Sequence, residues 1–264
     1  MEAQSWSLAE RAKTVVLRPG VTMPDWSQVS APAARAALEA IVDVARLTAK
    51  FADLDPMEDS VWQVVLEGYA KLGRAPRIPE IAFWLGISSE ATTTWLRRLR
   101  ARDHVVLDEA GKLITGAYPF TDQSTSHRIQ MGERQLNAMC AIDALAVGVM
   151  YGRDVAINSS CRHCGTAISI TTGRQGLALE SVLPRETVVW AGIAYGNNCA
   201  ATSLCRVLAF FCSDDDLEAW RATSAPGARG ARLTLDEAMQ VGKAIFMPIS
   251  AKSRRESTES GTHA

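Results

Sequence analysis

The stretch IPEIAFWLGISSEATTTWLRRLRARDHVVLDEAGKLIT, residues 78–115, decides the fold class. Residues 78–85 carry apolar side chains at helical spacing and stop at Gly86, and Ser88-Ser89-Glu90 is a cap-like opening for a second helix over 88–102. Residues 104–107 and 112–115 are β-prone and flank an Asp-Glu-Ala-Gly turn in which Gly111 supplies the permissive backbone of a hairpin. Upstream, residues 61–72, closed by Gly73, predict another helix. Three helices followed by a hairpin form a winged-helix pattern.

Working toward the N-terminus, the run from Ala31 is rich in good helix formers with apolar residues three and four apart, predicting a helix that ends before Pro56. Ahead of it, to about Val29, the turn signals Pro19-Gly20 and Pro24-Asp25 predict an extension with little regular structure. Toward the C-terminus, residues 132–150 read as one strongly apolar helix closed by Gly152. Short β-prone runs follow at 155–159, 166–171, 181–183, 187–191 and 206–212, then helices at 214–223 and 235–245. Residues 251–264 are charged and rich in Ser and Thr, as in a disordered tail. The fold class is α+β: a winged-helix-like N-terminal helical domain (31–125) after an extension (1–30), then a small mixed or antiparallel β-sheet domain with flanking helices (126–250).

With 28 basic and 29 acidic side chains, no global field draws the chain to nucleic acid or acidic membranes. The N-terminal residues 1–17 lack the apolar core of a signal peptide, and the apolar run at 138–151 is interrupted by Asp143 and too short for a bilayer. The expected location is the cytoplasm, without membrane association. Arg97, Arg98, Arg100 and Arg102 on the third helix, beside Trp95, would suit the phosphates of DNA. Arginines on a solvated face, offset in part by Asp103 and Glu90, are the preferred reading, and a metal- or thiol-responsive regulator is the rival from another class.

All six cysteines lie between Cys140 and Cys212, which places the chemistry in the second half. Without a secretion signal they read as free thiols, ligands or catalytic groups in preference to a disulfide framework. Cys140 and Asp143, three apart, share a helix face, and their apolar neighbours would raise the carboxyl pKa enough to keep it a proton donor at neutral pH. Free cysteine more often packs as a small hydrophobe, but a buried aspartate needs a partner or a task. Cys161-Arg-His-Cys164-Gly resembles half a zinc knuckle. A second Cys-X-X-Cys is missing, so a structural zinc through Cys161, Cys164 and Cys199 is weighed and disfavoured.

Cys140-Ala-Ile-Asp143-Ala-Leu, Gly152-Arg-Asp-Val155, Ser160-Cys161 with Gly165, Val182-Leu-Pro184, Ser203-Leu-Cys205, Phe210-Phe-Cys-Ser213 and Trp220 occur in this order. Together, over residues 132–220, they resemble the organomercurial (alkylmercury) lyases. The resemblance implies protonolytic cleavage of carbon–mercury bonds, with Cys140 and Cys205 as mercury ligands, Asp143 as proton donor and Cys161 as a structural cysteine. It assigns no role to Cys164, Cys199 or Cys212. It implies no organic cofactor, an organomercurial substrate, low-molecular-weight thiols for turnover, and a mercuric reductase as a candidate acceptor of Hg(II). The 184–205 segment is longer than in the family and brings in Cys199, which leaves Cys199 open as the second ligand. Arg206 stands where many of these lyases carry a second cysteine. A lyase-like enzyme using the same Cys/Asp set on another substrate is the nearer rival.

Overall fold

The computed structural model describes residues 8–249; the tail at 251–264 lies outside them. Of the segment read as irregular, residues 1–7 lie outside the described residues, and from Leu8 onward it is ordered. It forms α1 (Leu8–Ala12), the antiparallel pair β1 (Val15–Arg18) and β2 (Val21–Met23), and a 3-10 turn at Trp26–Gln28. Its turn residues mark the hairpin, and its scattered apolar residues Leu17, Met23, Trp26 and Val29 are buried. The segment is held against the C-terminal helix: Asp25 N–H donates to the Ala244 carbonyl at 2.8 Å, and the Gln240 side chain accepts Ser30 N–H at 2.9 Å.

The helix begun at Ala31 breaks once. α2 (Pro32–Ala45) ends at Arg46, which takes a left-handed φ of 53°, and α3 (Leu47–Phe51) follows. α4 (Pro56–Leu72) starts earlier than its periodicity suggested, because Asp55 and Glu58 form a capping box around Pro56 at the first helical position. α5 (Ile78–Leu85), closed by Gly86, and α6 (Ser89–Ala101), capped by Ser88, follow their local signals. β3 (Val105–Leu107) and β4 (Ile114–Ala117) make the hairpin, extended by β5 (Phe120–Thr121).

Residues 132–150 are not one helix. β6 (Arg128–Met131) turns through Gly132, with φ +58°, into β7 (Arg134–Ala138), and only then does α7 (Ala141–Tyr151) begin. Strand alternation in β7 buries Leu136 and Ala138, and the apolar run that masks its end continues into the helix. β8 (Ala156–Ser160), β9 (Ala167–Gly173), β10 (Ala178–Leu183), β11 (Val188–Gly192) and β12 (Leu208–Phe211) match the β-prone runs. α8 (Asp214–Thr223) and α9 (Leu235–Phe246) close the chain, with β13 (Gly230–Thr234) between them.

Eight strands form one antiparallel sheet in the order β10-β9-β8-β6-β7-β5-β4-β3, so the hairpin after α6 and the second half of the chain share a sheet. A second sheet runs β12-β11-β13. α7 lies between α9 and strands β6, β7 and β12, and every residue from Ala141 to Met150 is buried. That is the setting an all-round apolar helix requires. Its approach to α9 is close: a Cβ on Gly242 would sit 3.0 Å from that of Ala146. Among the described residues, no helix is long and apolar enough to cross a membrane.

Candidate active site

Cys140 is the N-cap of α7, in extended conformation, and the Asp143 backbone N–H points at its sulfur from 3.4 Å. The two residues meet because the first turn of the helix folds over its cap. The expectation that both lie within one helix is corrected in this respect. Cys205 arrives from a 3-10 turn at Leu204–Val207, where its N–H donates to the Ala200 carbonyl at 2.8 Å. Its thiol faces Asp143 Oδ2 at 3.7 Å. The donor atoms of Cys140, Asp143 and Cys205 all lie within 4.8 Å of one another. The three residues are 1%, 4% and 7% exposed, so their chemistry is set by burial.

Burial, opposed by hydrogen bonds from the two thiols, raises the Asp143 pKa to about 7. Burial likewise lifts the Cys140 thiol to about 11, against the lowering effect of a hydrogen bond with Cys205. Cys205 is pushed up by its hydrogen bond to Cys140, then by burial and the neighbouring carboxylate. The two thiols therefore rest protonated, and the carboxyl is poised between its two forms near neutral pH. A soft cation would displace the protons on sulfur, because thiolate is the competent ligand.

Cys205 lines two spaces. One is an apolar cavity of about 80 Å³ bounded by Ile41, Phe51, Trp62, Ile142 and Phe246, with Asp143 on its wall. The other is a polar cleft of about 500 Å³ that also reaches His127, Met139, Cys161, Arg162 and Phe210.

Asp103 holds the loop that delivers Cys205. It accepts hydrogen bonds from Lys50 Nζ at 2.6 Å, Tyr118 at 2.7 Å, Tyr195 at 3.0 Å and the Ala200 N–H at 3.0 Å. Lys50 also bonds the Tyr195 hydroxyl. Asp103 is thus a buried anchor, in place of the surface counter-charge expected beside the arginines. Two of those arginines face inward partners: Arg98 bonds the buried Glu58 at 2.9 Å, and Arg102 donates to the carbonyls of Lys50 and Ala52. Sequence reasoning missed this role of Asp103. No local pattern marks it, because its partners Lys50, Tyr118, Tyr195 and Ala200 meet it only in the fold.

The remaining cysteines separate. Cys199 sits half-buried in the 196–203 loop, outside the trio. Cys161 and Cys164 do come together, with Cys212 and Asp216 as partners and not with Cys199 as weighed from the sequence.

The model of the MerB alkylmercury lyase family matches residues 120–247, which hold all six cysteines and both carboxylates of these clusters. Over that stretch, just under half of its length, the chain matches the alkylmercury lyase family. Among its curated relatives, the alkylmercury lyase of Bacillus cereus is 28% identical over 145 residues, 55% of this chain and 63% of that protein. That of Staphylococcus epidermidis is 30% identical over 122 residues, 46% of this chain and 55% of that protein. That of Pseudomonas putida is 26% identical over 200 residues, 76% of this chain and 90% of that protein. This chain therefore spans under two thirds of the Bacillus lyase that it matches. The crystal structure of the mercury-bound form of MerB2 superposes with a TM-score of 0.67 at 22% identity, covering 78% of this chain and 98% of that one. It shares the family's mixed helix and antiparallel-sheet fold.

Proposed function

We propose that this chain is an alkylmercury lyase that cleaves carbon–mercury bonds by protonolysis, with Cys140 and Cys205 binding the metal and Asp143 delivering the proton. The observation that supports it is the convergence of two thiols and one carboxyl, 62 to 65 residues apart in sequence for the Cys205 pairs, in a buried site with room beside it. Mercury is soft and thiophilic, so two cysteines are the minimal trap.

The steps balance. One thiol displaces the carrier thiol from R–Hg–SR′, giving enzyme–S–Hg–R and releasing R′SH. The second sulfur binds the metal as its proton passes to the Asp143 carboxylate, or leaves the site when Asp143 is already protonated. Added electron density at mercury makes the carbon basic, and the Asp143 carboxyl protonates it. The products are R–H and Hg(II) between Cys140 and Cys205. Burial serves the last step, because a carboxyl raised to about 7 gives up a proton less readily to water and retains it for carbon.

Outside thiols would then remove Hg(II), with a mercuric reductase as a protein acceptor, and the working compartment would be the cytoplasm. Residues 31–125 would form a winged-helix-like domain and 126–250 the catalytic domain, after an extension at 1–30. The winged-helix-like part would serve as scaffold, since Arg98 and Arg102 are engaged internally and Asp103 anchors the Cys205 loop.

The test is headspace detection of methane or benzene from the purified protein given methylmercury or phenylmercury with excess thiol. Hydrocarbon in proportion to enzyme supports the reading, and none from any organomercurial overturns it.

A further inference from the structure

Cys161, Cys164, Cys212 and Asp216 form a second group, separate from the trio, and take no part in the proposed chemistry. Cys161-Arg-His-Cys164-Gly165 closes a tight turn between β8 and β9. Cys161 N–H donates to the Thr166 carbonyl at 2.8 Å and Gly165 N–H to the Cys161 carbonyl at 3.0 Å, with Gly165 at φ +75°. A side chain at Gly165 would strain that conformation, so the glycine serves the turn. Cys212 directly follows β12 and Asp216 stands in the first turn of α8, whose cap Ser213 bonds the Asp216 carboxylate at 3.0 Å.

Two separate backbone pieces thus aim three sulfurs and one carboxylate at one spot. Their donor atoms all lie within 4.8 Å of one another, with Cys164 Sγ to Cys212 Sγ at 3.5 Å and Cys212 Sγ to Asp216 Oδ2 at 2.9 Å. A tetrahedral zinc with ordinary bond lengths needs sulfur–sulfur separations of roughly 3.8 Å and sulfur–oxygen separations of roughly 3.5 Å. Shifts of under about 1 Å would open the cluster to that geometry. A disulfide would use two of the sulfurs and leave Cys161 and Asp216 facing it without purpose, whereas a divalent cation uses all four.

We propose that Cys161, Cys164, Cys212 and Asp216 form a closed structural site for a thiophilic divalent cation of the zinc type, separate from the mercury-binding trio. Binding replaces the thiol protons with the metal. The Arg162 backbone N–H donates to the Phe210 carbonyl at 3.0 Å, joining the turn to β12 beside the cluster. The site ties the β8–β9 turn of the large sheet to the β12–α8 junction of the small one. Cys161 and Phe210 border the same cleft as Cys205, so the tie fixes part of that cleft's wall. It also removes three of the six thiols from competition for mercury. The half knuckle for which the sequence disfavoured zinc would thus be completed from some fifty residues onward, by Cys212 and Asp216 in place of Cys199.

The test is metal content, which needs no lyase activity and so stands or fails apart from the proposed function. The full chain is purified under reducing conditions, its zinc measured by mass spectrometry, and the metal exchanged for cobalt(II). One equivalent of zinc is expected, with thiolate-to-cobalt charge-transfer absorption of a tetrahedral site. Both should survive in Cys140→Ser/Cys205→Ser and be lost in Cys164→Ser/Cys212→Ser. Asp216→Asn, which keeps all three sulfurs, should bind zinc at least about tenfold more weakly. Three results would overturn the proposal: no metal in the wild type before or after reconstitution; metal lost with the Cys140/Cys205 pair and kept in Cys164→Ser/Cys212→Ser; or an intact mass, without reductant, short by two hydrogens with Cys164 joined to Cys212. The wild-type readings decide even if a variant does not fold.

Discussion

The Cys205 thiol faces Asp143 Oδ2 across 3.7 Å, inside a site where both side chains are buried. Burial, the largest effect on the carboxyl, holds its pKa at about 7, whereas an aspartate in the unfolded chain titrates at about 4. The folded protein therefore binds this proton more tightly. Its contribution to stability is complete below about pH 4 and is lost as pH rises through about 7, on the order of a few kcal/mol. Asp143→Asn cannot ionise, so its thermal midpoint should exceed that of the wild type at about pH 8 by more than it does at about pH 5. Midpoint differences that stay constant with pH would show that the carboxyl is not perturbed in this way.

Asp103 is predicted to matter for the geometry of Cys205 without touching the reacting atoms. Asp103→Asn removes the partner of a nearly buried Lys50 and weakens the acceptor for the Ala200 N–H, at a cost of about 3 kcal/mol in stability. Faster amide exchange at Ala200 and Ala201 is the specific signature, with kcat reduced more than substrate capture. Unchanged protection of those two amides would remove Asp103 from the account.

Substrate size should follow the apolar cavity. At about 80 Å³ it is well under the roughly 150 Å³ of an apolar cavity known to hold benzene, so methyl and ethyl groups fit and phenyl requires side chains to move. Phe246→Leu, on the cavity wall, should raise kcat/KM for phenylmercury relative to methylmercury by about tenfold. A ratio that does not change would place the organic group elsewhere, the polar cleft being the alternative.

What could be read from the sequence depended on how local the determinant was. α5 and α6 follow from Gly86 and Ser88, whose effects act within a few residues. β7 was hidden because Leu136, Ala138 and the apolar start of α7 merge into one run, and a short strand joined to a buried helix has no separate period. The Cys140–Asp143 pair was visible from its spacing, though as neighbours within a helix instead of a cap and its first turn. Resemblance, not spacing, singled out Cys205 across more than sixty residues. Nothing local marks Asp216 as the neighbour of Cys164, because that meeting exists only once β12 and the β8–β9 turn pack together.

The most direct test of the central claim is single-turnover hydrocarbon release from methylmercury, comparing wild type with Cys140→Ser, Cys205→Ser, Asp143→Asn and Cys199→Ser. Methane is expected from the wild type and Cys199→Ser, with a loss of at least about a hundredfold in the other three. Asp143→Asn should still capture the organomercurial, since both sulfurs remain. Methane from Cys205→Ser at the wild-type rate, or its loss in Cys199→Ser alone, would contradict the assignment of the site.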